Sequence, residues 1–206
     1  MRKIFVFLLF FSFLFALDAD EISFEGNESR IVLKEGRENV ELTGGAKVTC
    51  RNLVISADNI NLSGENWRYV SVDGNVLVLD EERELEIRTS MLWYDRINEL
   101  LLIGTYFELD DRKNEMNASA TSLEYDMKNE NLVLSGRVRL SKMNETDLVS
   151  TRAESIRYDR SSDVMELLGS ANVLWQGDRY SAEVIRLDLE NDSIELDTRI
   201  KGTING

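Results

Sequence analysis

The chain has 206 residues, with 24 Lys and Arg against 38 Asp and Glu, a formal net charge of −14, one Cys, no His and no Pro. So acidic a chain is a poor partner for nucleic acid or for anionic membrane surfaces. The missing His removes the commonest general base and metal ligand, and a lone Cys excludes an intrachain disulfide or a thiolate metal cluster.

Met1-Arg2-Lys3 is followed by an apolar run from Ile4 to Leu17, with small residues at Ala16 and Ala19. This pattern predicts a secretory signal over residues 1–19. The rival reading is an uncleaved N-terminal anchor in the inner membrane, although the run is short against the roughly 20 residues that span a bilayer. Basic residues before the run and Asp18, Asp20 and Glu21 after it orient the remainder outward in either case. Residues 20–206 contain no linker or low-complexity stretch, so they are expected to form one domain.

Within that domain, Ile31 and Leu33 read as the tail of a degenerate first unit. Gly44, Gly74, Gly104, Gly136, Gly169 and Gly202 then recur at spacings of 30, 30, 32, 33 and 33 residues. A fixed period of this size means one supersecondary unit stacked on copies of itself. Residues at even offsets from each glycine share its face in an extended strand. Around Gly44 they are Val40, Leu42, Ala46 and Val48, and around Gly74 they are Val70, Val72, Val76 and Val78. Around Gly104 they are Leu100, Leu102, Tyr106 and Glu108, and around Gly136 they are Leu132, Leu134, Val138 and Leu140. Around Gly169 they are Met165, Leu167, Ala171 and Val173, and around Gly202 they are Thr198, Ile200 and Ile204. Only Glu108 and Thr198 break the apolar rule. Such alternation predicts half-buried strands, with a bulge, a bend or a close backbone approach at the glycine.

A second landmark follows each glycine: Ala57, Thr89, Ala120, Ala153 and Ala182. Apolar side chains lie three and five residues beyond it, as in Ile60 and Leu62 or Leu123 and Tyr125. In the earlier units, apolar positions before the landmark fall at even offsets, as in Leu53 and Ile55 or Leu85 and Ile87, and those after it at odd ones, so a bulge or corner carrying an extra residue is expected there. Polar links such as Asp95–Glu99, Asp126–Asn131 and Asp159–Val164 read as turns, with Asp95, Asp126, Asp159 and Asp188 as turn formers rather than catalytic pairs. About twelve long strands result, or more where bends split them. Tyr94, Tyr125 and Tyr158 recur in register and should form a ladder along one edge of the stack. Cys50 reads as a small buried apolar residue. No cofactor, metal site or enzyme chemistry is indicated.

The segments Asn52-Leu53-Val54-Ile55-Ser56-Ala57-Asp58 and Asp73-Gly74-Asn75-Val76-Leu77-Val78 resemble the OstA-like family, that of the LptA lipopolysaccharide-transport proteins. Ala57-Asp58 matches the family's apolar-x-Ala-Asp pattern, whereas Thr89-Ser90, Ala120-Thr121, Ala153-Glu154 and Ala182-Glu183 depart from it. The resemblance covers about residues 30–206. It implies an antiparallel β-jellyroll, or β-taco, of about six repeats of 30–33 residues. It further implies a groove for the acyl chains of lipopolysaccharide or another acylated lipid, and edge-to-edge joining to like domains in outer-membrane assembly.

Two functions follow. The first is a non-enzymatic periplasmic lipid carrier or bridge, either free or anchored in an LptC-like manner. Its candidate groove residues are Val70, Val72, Val76, Val78, Leu100, Leu102, Leu132, Leu134, Val138, Leu140, Met165, Leu167, Val173 and Ile200. No basic rim for lipid phosphates is evident. The second is a structural envelope β-scaffold in which the same apolar faces fill a closed core.

Overall fold

The computed structural model describes residues 21–144 and 147–205, so the expected signal segment lies outside the described residues. Fifteen strands among them form one antiparallel sheet. In chain order they are β1 (Ile22–Val32), β2 (Asn39–Cys50), β3 (Leu53–Ser63), β4 (Tyr69–Asp80), β5 (Leu85–Asp95), β6 (Leu100–Ile103), β7 (Phe107–Asp111) and β8 (Met116–Ala120). Then follow β9 (Ser122–Asp126), β10 (Asn131–Asn144), β11 (Asp147–Asp159), β12 (Val164–Trp175), β13 (Asp178–Asp188), β14 (Ser193–Asp197) and β15 (Lys201–Thr203). Three pairs are halves of single long strands. β6 and β7 both pair with β5, β8 and β9 both pair with β10, and β14 and β15 both pair with β13. The sheet is therefore twelve long rungs, each hydrogen-bonded to the next.

Every rung is bent near its middle, and the bends line up. In β2, Asn39–Thr43 belongs to one wall, wall A, and Ala46–Cys50 to the other, wall B. The chain crosses the bend once per rung, so the sheet folds on itself along one line. One face of each wall is apolar, and the two apolar faces meet in a core running from Val40 to Leu189. The fold class is all-β, an antiparallel jellyroll-like sheet.

The bend has a backbone cause. Thr43 lies opposite Asn59 and Ala46 opposite Ala57, so Gly44 and Gly45 together face Asp58 alone. The same two-for-one bulge recurs at Gly74–Asn75, Gly136–Arg137 and Gly169–Ser170. Both residues of each pair have left-handed φ, for example 77° and 48° at Gly74 and Asn75. The extra residue lets the glycine strand keep one parity, from Leu42 to Ala46, while the facing strand changes parity between Ala57 and Ile60, so both inner faces stay inward as the sheet turns the corner. The sequence places this residue beside Ala57 and its equivalents; the structure places it on the facing glycine strand.

The feature that repeats is a buried pair four residues apart that spans the bend. Its members are Leu42 and Ala46, Val72 and Val76, Ile103 and Phe107, Leu134 and Val138, and Leu167 and Ala171. Measured against these, Gly104 sits one residue early. The expectation for its neighbours is corrected accordingly: Leu101, Ile103, Phe107 and Leu109 are buried, while Leu100, Leu102, Tyr106 and Glu108 point away from the core. Residues 104–106 break the rung into β6 and β7, and the gap is bridged by side chains, with the Thr89 and Thr105 hydroxyls 2.9 Å apart. In the last rung the left-handed residues are Thr198 and Arg199, at φ 62° and 57°, not Gly202, which pairs with Tyr180 in wall B.

Gly74 and Gly104 should therefore answer differently to substitution. A Cβ at Gly74 would be forced into left-handed φ and against the Asp58 carboxylate, whereas at Gly104 nothing lies within 4 Å. Gly74→Ala should cost at least about 1–2 kcal/mol. Gly104→Ala should stay within about 0.5 kcal/mol. Urea midpoints of the two variants check this, and equal losses would remove the bulge from its structural role.

Candidate functional site

The inner faces of the two walls are the largest continuous apolar surface in the molecule. Of the candidate groove residues, Val70, Val72, Val76, Val78, Leu132, Leu134, Val138, Leu140, Met165, Leu167 and Val173 all lie on it and are buried. Leu100 and Leu102 do not; they lie on the outer face of wall A. Ile200 shares the face of Gly202 on the terminal rung, where nothing covers it. The interior is closed to water along its middle: Val48, Val78, Leu134, Met165 and Leu187 are wholly inaccessible. Closely packed walls leave no room for a chain unless they move apart.

Among the described residues, nothing covers the interior at either end of the stack. At one end, Phe24 pairs with buried Val48 and Ile31 with buried Val40, yet Phe24 is 41% and Ile31 48% exposed. At the other, Ile194 and Leu196 pair with Leu187 and Ile185, and Ile200 and Ile204 are 57% and 75% exposed. β1 and the β14–β15 rung each leave one edge of backbone groups unpaired in the ladder. Such edges accept further strands.

Opposite the bend, the turns of wall A meet those of wall B, and polar side chains join them. Arg51 donates to Glu99 at 2.9 Å, Arg83 to the Met127 carbonyl at 3.1 Å, and Asn144 to Asp192 at 2.8 Å. Arg160 donates to Asp111 at 2.7 Å and to the Tyr125 hydroxyl at 2.8 Å. Lys142 donates to the Asn114 carbonyl within wall B at 2.8 Å and pairs across the seam with Asp163 at 3.4 Å. Folding assembles this seam of paired basic and acidic side chains from turn residues far apart in the chain. Burial pulls the Arg160 guanidinium down, but Asp111, Tyr125 and Glu130 outweigh it and keep it charged.

The tyrosine ladder faces this seam from inside wall A. Tyr94, Tyr125 and Tyr158 occupy the last inner position before each turn and are separated by Leu101 and Leu132. Burial pushes the Tyr125 phenol up to about 12, while Arg160 and Arg83 work against the shift. The seam contacts differ in strength. The Arg51–Glu99 pair is partly solvated, and such pairs contribute about 0–1 kcal/mol. The Arg160 and Asp111 side chains are 1% and 0% exposed, so removing either partner would cost about 3–5 kcal/mol.

The turn aspartates act as expected from their positions. Asp95 accepts from the backbone N–H groups of Ile97 and Asn98, Asp126 from Lys128 and Asn129, and Asp159 from Ser161 and Ser162. Arg68 also donates two bonds to Asp95 and holds its carboxyl below the usual range. Asn129 does the same for Asp126, Ser161 and Ser162 for Asp159, and Asn191 for Asp188. Cys50 is buried, and no group of three or more His, Cys, Asp or Glu among the described residues could hold a metal ion.

The outer face of wall A carries a cleft of about 630 Å³ over β2–β6, lined by Met91, Trp93 and Leu102 with Glu41, Asn61 and Ser71. Trp93 stacks on Tyr69 there, with ring centroids 5.3 Å apart.

No family model matches the chain, and no curated protein matches it. Among solved structures it is similar to LptH, the LptA-homologous periplasmic component of the lipopolysaccharide transport device of Pseudomonas aeruginosa. The identity is 11%, the coverage 91% of this chain and 96% of that one, and the TM-score 0.31. At that score the likeness adds nothing to what the strands themselves establish.

Carboxyls held below their usual range stabilise the fold at neutral pH, and this contribution is lost as pH falls below about 4, through the lowered values. The urea midpoint should accordingly drop steeply between pH 5 and pH 3. An Asp126→Asn/Asp159→Asn double variant should show a shallower drop over the same titration.

Proposed function

We propose that this chain is a non-enzymatic periplasmic carrier of acylated lipid, serving as one segment of a lipopolysaccharide-type bridge in outer-membrane assembly. The observation that carries this reading is the continuous apolar interior with both ends uncovered, at Phe24 and Ile31 and at Ile200 and Ile204. A carrier must hold acyl chains away from water and hand them on. An apolar interior supports the first, since each buried CH₂ contributes about 0.8 kcal/mol. Apolar, edge-exposed ends support the second, because a like domain set against them would extend both the sheet and the interior. The acidic exterior suits a protein that keeps off anionic membrane surfaces while it carries lipid internally.

The competing reading, a closed structural scaffold, makes a different prediction. With a photo-crosslinking residue at Leu134, inside, the carrier should capture acylated lipid in envelope preparations, and one at Arg157, exposed outside and away from the outer cleft, should capture none. Native mass spectrometry of the extracted protein should show the same lipid mass and end-to-end multimers. Capture at neither position would leave the scaffold standing.

A further inference from the structure

The two long sides of the folded sheet are held in different ways. Along the bend the walls are joined by continuous backbone; along the seam they are joined only by side chains. The seam contacts nonetheless recur with the repeat. Arg51 and Glu99 are 48 residues apart, Arg83 and Met127 are 44, Asp111 and Arg160 are 49, and Asn144 and Asp192 are 48. A wall B turn is thus clasped repeatedly to the wall A turn about one and a half repeats later. Accidental contacts between turns would not keep that interval.

The clasp is unequal along the stack. Arg51 and Glu99, near the first rungs, are partly solvated, Asp111 and Arg160 are sealed, and the Asn144–Asp192 contact beyond them is exposed again. At the Arg51–Glu99 stretch lies a cavity of about 90 Å³, lined by Arg51, Arg83 and Glu99 with Cys50, Tyr94 and Met127. A partly solvated ion pair over a cavity parts more readily than a pair sealed from water.

We propose that this stretch of the seam is a lateral gate: Arg51 and Arg83 separate from Glu99 and Met127, and an acyl chain enters sideways onto Cys50, Tyr94 and Met127. The proposal rests on the carrier reading above. It explains how a closed interior is loaded while the bend and the sealed Asp111–Arg160 contact keep the walls in register.

The single cysteine reports on the gate. In the full folded chain, DTNB should label Cys50 much faster than global unfolding permits. Glu99→Gln should speed labelling about fivefold, the order expected from loosening a partly solvated ion-pair contact. Glu195→Gln, far along wall A, should leave the rate unchanged. Uptake of dansyl-undecanoic acid is then followed in an Arg51→Cys/Glu99→Cys variant made in a Cys50→Ala background. Bridging the two cysteines with a short bis-maleimide should slow uptake more than tenfold relative to the unbridged variant. Equal uptake by bridged and unbridged protein would overturn the gate, because chains would then enter by the ends. Labelling of Cys50 only at the unfolding rate would also overturn it. Rapid labelling with no uptake by the unbridged variant would overturn the carrier reading, and the gate as an acyl route with it.

Discussion

The whole architecture depends on one backbone device, the two-for-one bulge at the centre of β2, β4, β10 and β12. A pleated strand presents alternate residues to opposite faces, so neighbouring rungs that turn a corner together must keep their apolar sets on the same side. The extra residue at Gly44–Gly45, Gly74–Asn75, Gly136–Arg137 and Gly169–Ser170 does this: the glycine strand keeps its parity across the bend while the facing strand changes it. Because the bulges stack in register, the bends fall on one line and two walls arise from a single sheet. No repeat could bury its inner face alone; each is completed by its neighbours, which is why the terminal rungs stay uncovered.

The rest of the molecule is organised by what the bulge leaves undone. Having joined the walls on one side, the chain must close the other with turn residues. The aspartates at the strand ends, such as Asp95, Asp126 and Asp159, tie down the backbone of the wall A turns. That fixes where Glu99, Met127 and Arg160 are presented to wall B. The tyrosines one position inside add hydroxyls to the same line, Tyr125 toward Arg160 and Tyr158 toward Asp163. One long side is thus made of backbone and the other of side chains, and this asymmetry lets a packed interior act as a loadable one.

Most of the fold is legible in the chain, because a period of about thirty residues and a clean two-residue alternation are both local signals. The places where the sequence reading slips are informative. Glu108 and Thr198, the only breaks in the apolar rule, mark the two repeats whose glycines are out of phase. At Gly104 the buried pair is Ile103 and Phe107, so Leu100 and Leu102 face outward. At the last rung the bend belongs to Thr198 and Arg199. Counting from apolar pairs four residues apart, rather than from glycines, would have placed both correctly. Glycine is the easiest residue to accommodate at a left-handed position, but Thr198 and Arg199 occupy such positions too.

The seam could not be read in this way. Its partners lie between 16 and 49 residues apart and come from different turns, and nothing in the composition of either turn names the other. The amino-acid sequence by itself determined the repeat, the all-β class, the apolar inner face and the absence of His and paired Cys chemistry. Each of these follows from residue type and spacing along one strand. Only the tertiary structure decided that the interior is closed, that both ends are bare and that a basic and acidic clasp joins the walls. Those properties depend on which turns the folded sheet brings together, and that is set by the accumulated geometry of twelve stacked rungs.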